Sequence, residues 1–277
     1  MTTIAGKTIL LTGASGGIGA PLARMLAKQG ATIVGVSRSP KKLEQLSAEI
    51  EALGGKAVIV PWDISCVEKL PNLLQECDRL VDRVDILINN AGIQIYRAFP
   101  DYSLAELQKV IAVNLQAPME LTRLMLPEML SRNRGHIVNL ASLAGKTGHP
   151  YDSIYSASKA GLLMWGDAVR QELADTEVRM TTVCPGYVES AGLLADTGIP
   201  APRLAGASQP EAVAKAIVRA IAHDWAEIVV NGNPLMTGMT KLLLANEQLF
   251  PGLRDLVNRW LGVTKLNQKR IDKLIKT

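Results

Sequence analysis

Apolar residues follow two rhythms along this chain. Short, nearly unbroken runs of Ile, Val and Leu alternate with longer stretches whose apolar positions recur every three or four residues. The runs are KTILLT (7–12), ATIVGVS (31–37), KAVIVPWD (56–63), VDILINNAG (84–92), GHIVNLAS (135–142), VRMTTVCPG (178–186) and EIVVNG (227–232). A strand with one wet face alternates apolar with polar. Unbroken runs mark strands covered on both faces, as in a parallel sheet. Between the runs, Ile18, Leu22, Met25 and Leu26 share one helical face, and a polar helix spans Pro40 to about Leu53. Long helical stretches cover 103–131 and 153–174. This alternation predicts an α/β fold, a doubly wound Rossmann-type parallel sheet of about seven strands, in a single domain over residues 1–235. A helical extension follows over 236–277. Residues 186–210 fit neither rhythm. They mix Gly, Pro and small apolar residues over a length unusual for a connection. They also follow the end of a strand, where a lid over a site belongs.

Composition narrows the class. A chain of 277 residues with 48% hydrophobic and 20% charged side chains buries an ample core and is not a disordered polymer. The net charge of +4 is too small to argue for nucleic acid, but its location matters. Residues 241–277 hold eight basic and three acidic side chains, a net of +5, which leaves −1 on residues 1–240. Cys66, Cys77 and Cys184 are odd in number, and His136 and His223 fit no metal-ligand spacing. The expectation is a reduced, cytoplasmic protein without a metal. No run of 18 apolar residues occurs, and MTTIAGKTILLTG lacks a signal-peptide layout.

Candidate chemistry begins where the first run ends. In LLTGASGGIGA, Gly13, Gly17 and Gly19 fall between a strand and a helix, with Gly16 and Ile18 between them. Missing side chains admit a pyrophosphate to the backbone, and a helix N-terminus offers N–H donors and positive dipole. The Ser15 hydroxyl adds a donor. The second strand ends in Ser37 and Arg38, with Lys41 and Lys42 nearby, where dinucleotide folds that hold bare ribose hydroxyls carry an acid. A guanidinium there suits a 2′-phosphate, so NADP(H) is expected over NAD(H). Asp63, followed by Ile64, ends the third run. It suits an adenine amino group, and equally caps the next helix.

YSASKAG (155–161) supplies the second site. Tyr155 and Lys159 stand at i and i+4, on one helical face. An ammonium beside a phenol favours the phenolate and lowers the tyrosine pKa, which equips Tyr155 to move a proton. The bland alternative is an exposed helix start where the ring packs and the lysine snorkels.

These residues resemble the short-chain dehydrogenase/reductase family. The likeness covers about 1–232 and rests on TGASGGIG (12–19), NNAG (89–92), Asn114 in VNLQAP, Ser142 in NLASLAG, YSASK (155–159) and PGYVES (185–190), in family order. The resemblance implies that Tyr155 is the acid/base and that Lys159 tunes it and binds the nicotinamide ribose. It implies that Ser142 holds the substrate oxygen and that Asn114 anchors a proton-relaying water. Asn90, Ala91 and Gly92 would line the adenosine side. Pro185, Gly186, Val188 and Ser190 would border the nicotinamide. It also implies a homodimer or homotetramer in which the helix after Tyr155 and the 103–131 stretch pair across an axis. The expected reaction is hydride transfer between NADP(H) and a carbonyl or secondary alcohol. Gln94, Tyr96, His149, Tyr187 and Leu193 stand by position as walls of a moderately hydrophobic substrate pocket, although a loop histidine such as His149 is more often solvated. Two departures stand out. Ser15-Gly16 replaces the basic residue that many NADP-using relatives carry, and the chain continues past its last strand. The alternative function is a catalytically silent nucleotide-binding or redox-sensing module, which would need none of the Asn–Ser–Tyr–Lys set.

The extension is amphipathic. Leu253, Leu256, Val257, Trp260 and Leu261 fall at i, i+3, i+4, i+7 and i+8, with Arg254, Asp255, Asn258 and Arg259 opposite. Pro251 separates this stretch from an earlier one, TKLLLANEQLF (240–250). Beyond it, Lys265, Lys269, Arg270, Lys273 and Lys276 surround Leu266, Ile271, Leu274 and Ile275. The favoured expectation is packing on its own domain or on a partner subunit, over the substrate cleft. The second is peripheral contact with an anionic membrane, which a basic amphipathic helix with a boundary tryptophan suits.

Overall fold

The computed structural model describes residues 1–275 other than Ala191 and Arg203. Lys276 of the basic tail, and those two positions in the 186–210 segment, lie outside the described residues.

Seven strands form the main sheet: β1 (Thr8–Thr12), β2 (Thr32–Ser37), β3 (Lys56–Pro61), β4 (Ile86–Asn89), β5 (Gly135–Leu140), β6 (Val178–Pro185) and, late in the chain, β9 (Glu227–Val230). Their order is β3-β2-β1-β4-β5-β6-β9, all parallel. Helices α1 (Gly19–Lys28), α2 (Pro40–Ala52), α3 (Leu70–Leu80), α4 (Leu104–Ile111), α5 (Ala117–Ser131) and α6 (Ser153–Glu172) fill the connections between the first six strands. Ile9 and Leu11 of β1 join the core layer containing residues of α1, α2 and the later helix α8 (Pro210–His223). Leu10, between them, joins the opposite layer with residues of α3 and α5. Burying each such side chain contributes about 1.5–3 kcal/mol. The chain works outward from β1 to β3 and then crosses back to β4. The crevice at that switch, outside the carboxyl ends of the strands, is where this topology binds ligands.

Two expectations change in detail. The described residues of the 186–210 segment form local structure. Strands β7 (Tyr187–Val188) and β8 (Ala207–Ser208) pair in parallel as a second small sheet, with helix α7 (Leu193–Thr197) between them. Among its described residues the extension forms three helices, α9 (Pro234–Leu249), α10 (Pro251–Trp260) and α11 (Val263–Ile275). Helix α11 lies back on the domain: Asn267 Nδ2 donates to the Pro150 carbonyl at 2.8 Å and Arg270 Nη2 to the Pro200 carbonyl at 3.0 Å. The apolar stripe expected on α10 is split. Leu253, Val257 and Leu261 are half-buried, whereas Leu256 and Trp260 stand in solvent, because the domain covers only one flank of that helix.

Candidate active site

The glycine turn closes on itself so tightly that side chains do not fit. A Cβ on Gly19 would lie 2.1 Å from the Gly13 carbonyl oxygen, and Gly13 itself has φ +64°. Asn90 locks the turn from β4, donating from Nδ2 to the Thr12 and Gly13 carbonyls at 2.9 and 3.1 Å. The Ala91 N–H donates to Thr12 Oγ1 at 3.1 Å. Helix α1 then starts with no side chain capping its first N–H groups, so its N-terminus faces the crevice with donors open to an anion. The Ser15 and Ser37 hydroxyls meet at 2.7 Å across the β1 and β2 ends. Arg38 is exposed beside them. Asp63 accepts from the Ser65 N–H at 2.9 Å. Burial pushes its carboxyl up, but that hydrogen bond and the Arg38 and Lys109 charges hold it below the ordinary value.

The catalytic candidates sit on β5, α6 and an irregular turn. Ser142 follows β5, and its Oγ accepts from the Ala144 N–H at 3.1 Å. Gly145, just beyond, packs backbone to backbone on α6, where a Cβ would lie 2.6 Å from the Lys159 carbonyl carbon. Tyr155 and Lys159 are both buried, with the lysine Nζ 5.7 Å from the phenol ring centroid. Lys159 Nζ donates to the Leu140 carbonyl at 2.7 Å. Burial lowers its pKa to about 8, with Cys184 opposing. The phenol does not shift as the i, i+4 pairing predicted. Burial and the nearby Asp152 charge push Tyr155 above its ordinary pKa, and only hydrogen bonding with Ser142 pulls it back. Desolvation of the whole cluster outweighs the pull expected from a neighbouring ammonium.

Asn114 lies within a π turn (Ala112–Gln116) between α4 and α5 and is fully buried. Its amide clamps Ile93: Nδ2 donates to the Ile93 carbonyl at 2.8 Å and Oδ1 accepts its N–H at 2.9 Å. Nδ2 also reaches Ser158 Oγ at 3.1 Å. Asn114 Oδ1 and Lys159 Nζ each lie 3.5 Å from where a Gly92 Cβ would stand. A bare glycine thus keeps a small space between them. π turns of this kind recur at functional sites.

One cavity of about 1670 Å³ joins these parts. Its wall includes every expected cofactor or pocket residue except Gly19, and every catalytic candidate except Asn114. Gly186 has no room for a Cβ, which would meet Asn231 Oδ1 at 2.5 Å. Ser190 adopts φ +70° and donates to Gln209 Oε1 at 2.8 Å. Gln94 donates to Asp152 Oδ2 at 2.6 Å, and burial raises the Asp152 carboxyl well above its ordinary pKa despite that bond and the Arg270 charge. His149 stacks on Tyr187 with ring centroids 6.3 Å apart. Its pKa falls to about 4, through burial and the Arg270 and Arg254 charges. Leu193 lines the wall at the start of α7.

The sequence pattern of the family described as short chain dehydrogenase matches residues 7–197. The chain belongs to that family. It is 51% identical to the ketoacyl reductase HetN of Nostoc sp. strain PCC 7120, over all of this chain and 96% of that protein. It is 38% identical to nodulation protein G of Rhizobium meliloti over 69% of this chain and 77% of that one. Among solved structures, a metagenomic short-chain oxidoreductase in complex with NADP superposes with a TM-score of 0.72 at 32% identity, covering 84% of this chain and all of that one.

This short-chain dehydrogenase roofs its cavity with the extension. Val257, Trp260, Leu261, Val263 and Asn267 all line it. Arg270 is fully buried behind them, its guanidinium 5.3 Å from the Tyr96 ring centroid and 5.8 Å from that of Tyr187. It also donates to Asn267 Oδ1. Asp152, Asn267 and Arg270 were not among the expected site residues. Asp152 carried a positional signal, at the residue just before the helix that bears Tyr155. Arg270 carried none, because its surroundings come from residues 96, 187 and 200.

Proposed function

We propose that this oxidoreductase uses NADP(H) and moves a hydride between the nicotinamide and a carbonyl or secondary-alcohol substrate, with Tyr155 exchanging the proton at the substrate oxygen. The observation that carries the reading is the meeting of Ser142, Tyr155 and Lys159 on the floor of the cavity whose other end is the glycine turn. The turn fits a dinucleotide: Gly13 and Gly19 leave no room for side chains, and the uncapped start of α1 presents N–H donors. Arg38 would hold the 2′-phosphate, with Ser15 and Ser37 beside it, while Asp63 and Ile64 would border the adenine. Asn90, Ala91 and Gly92 would line the adenosine side. Pro185, Gly186, Val188 and Ser190 would border the nicotinamide. When bound, the nicotinamide supplies or accepts the hydride.

The chain's own residues handle the oxygen and the proton. During carbonyl reduction, negative charge grows on the substrate oxygen. A phenol held protonated by burial is a donor at that point, and Ser142 Oγ is a second. Lys159, with a pKa near neutrality, would return a proton to Tyr155, and the space kept by Gly92 between Lys159 and Asn114 suits a relaying water. Gln94, Tyr96, His149, Tyr187 and Leu193 would wall the substrate. The name of the 51%-identical relative supports a ketoacyl compound as the first substrate to try.

Exposed Phe99, Leu104, Met119 and Met164 near and on α4, α5 and α6 support a homo-oligomer through that side. Free thiols at Cys66, Cys77 and Cys184 fit a reducing, cytoplasmic setting. The test is NADPH oxidation by the purified protein with ketoacyl, ketone and aldehyde substrates. Turnover that depends on Tyr155 supports the reading. Tight NADPH binding with no turnover on any of them would favour the silent nucleotide-binding module.

A further inference from the structure

Helix α9 is apolar on two sides. Its inward side sets Met236, Leu243 and Leu244 against the cavity, beside Thr237, Thr240 and Glu247, which bond to Asn231 or pair with Arg254. Its outward side carries Leu235, Met239, Leu242 and Leu249, which are 63–74% exposed. These positions recur at i, i+4, i+7 and i+14, one continuous helical stripe. Phe250 at the following turn, and Leu256 and Trp260 one helical turn apart on α10, are also exposed. Single exposed leucines need no explanation, but an apolar stripe continued by an aromatic pair does.

We propose that this face of α9 and α10 docks the protein on an anionic lipid bilayer, with the cavity mouth opening onto the lipid. Two observations select that occupant. First, Met239 and Trp260 are exposed and also line the cavity, so they form its rim. A second protein chain fixed over the stripe would shut that mouth, whereas a fluid apolar surface gives an apolar substrate a route in. Second, the exposed charges of the extension are mostly cations. Lys241, Arg259, Lys265 and Lys269 outnumber Asp255 and Asp272. In a two-fold pairing of this face with its own copy, one net cationic patch would meet another. Anionic headgroups complement them instead.

The route into the cavity rests on the proposed carbonyl chemistry, but docking does not, so the experiment reads binding without turnover. Full-length protein is sedimented with vesicles of phosphatidylcholine alone or mixed with phosphatidylglycerol. Alongside it runs a Leu235→Gln/Leu242→Gln/Leu249→Gln variant, whose exchanged side chains line no part of the cavity. The expected result is binding to the mixed vesicles only, weakened about fivefold for each of Lys241 and Lys265 changed to glutamine. The triple variant should lose binding while keeping its melting temperature and its NADPH affinity. Two results would overturn the proposal: no binding of the parent protein to mixed vesicles, or equal binding of parent and triple variant. A parent that ignores vesicles but drops in mass on triple substitution would assign the face to a second copy, which also overturns it.

Discussion

Helix α1 turns Leu22 and Leu26 into the core, whereas α9 turns Leu235, Leu242 and Leu249 to the outside. The cavity lies between regions built in these two ways. Its floor is made of strand ends and α6, fixed by close backbone contacts such as Gly145 on Lys159. Its roof is the extension, held by a few long-range polar contacts centred on Asn267 and Arg270. A floor of that kind sets the geometry of a reacting atom, while a thinly held roof sets what enters. Floor substitutions should therefore act on turnover and roof substitutions on KM and melting.

The largest expected effect is on the floor. Tyr155→Phe should keep fold and cofactor affinity and lose about 10²–10⁴-fold in kcat, the usual worth of general acid catalysis. Steady-state kinetics with matched NADPH titrations check it, and near-normal kcat would remove Tyr155 from the reaction. At the far end of the cavity, away from the reacting floor, Arg38→Ala should weaken NADPH binding by about 1.5–3 kcal/mol, the scale of a charge-assisted hydrogen bond, and leave NADH nearly unchanged. Equal losses for both would make Arg38 structural.

The roof was the less legible of the two in the sequence. The main strands read directly as unbroken Ile/Val/Leu runs, because burial on both faces leaves no polar alternation. Their ends were overextended where side-chain chemistry takes over. The fourth run continued to Gly92, but the strand stops at Asn89 because Asn90 and Ala91 leave the sheet to bond the Thr12 segment. Strands β7 and β8, with two residues each, are too short for any periodicity to register. On α10 the pattern reveals an apolar face but not which way it points, since direction depends on what the domain offers for cover. In the sequence Arg270 is one of five basic residues around Leu266, Ile271, Leu274 and Ile275 and nothing sets it apart, because Tyr96, Tyr187 and Pro200 meet it only through folding.

Arg270→Met sharpens the contrast. It removes a buried guanidinium from between two rings, an interaction worth about 2 kcal/mol when desolvated. The melting temperature should fall by about 4–8 °C, and KM should rise while kcat stays close to that of the parent. A kcat loss as deep as that of Tyr155→Phe would merge roof and floor into one unit.

The smallest effect has a definite pH signature. Burial depresses Lys159 from its ordinary value of 10.5 to about 8 in the folded protein. Below pH 8 the ammonium is charged in both folded and unfolded states, and the fold bears the full cost of burying it. Between pH 8 and 10.5 the folded protein gives up that proton first, so the cost fades and stability rises. Above 10.5 the amine is neutral in both states. Beside its loss of turnover, Lys159→Met should thus show the smallest stability change of the series, a net gain on the order of 1 kcal/mol near pH 7 after the lost hydrogen bond to Leu140 is counted. That gain should disappear above about pH 10. Thermal melts across pH check it, and a gain independent of pH would mean the lysine is not strained by burial.

The π turn at Ala112–Gln116 ties this chemistry to the length of the chain. An α-helix advances about 100° for each residue, so the extra residue in that turn sets the phase between α4 and α5. Deleting any one residue from it would restore an unbroken α-helix and swing one half through about that angle. Asn114 would then face away from Ile93 and Ser158. No point substitution elsewhere repairs such an error, so gains and losses of residues in this stretch should be tolerated far less than in α10. An insertion-and-deletion scan would trace the site as a map of where chain length is fixed.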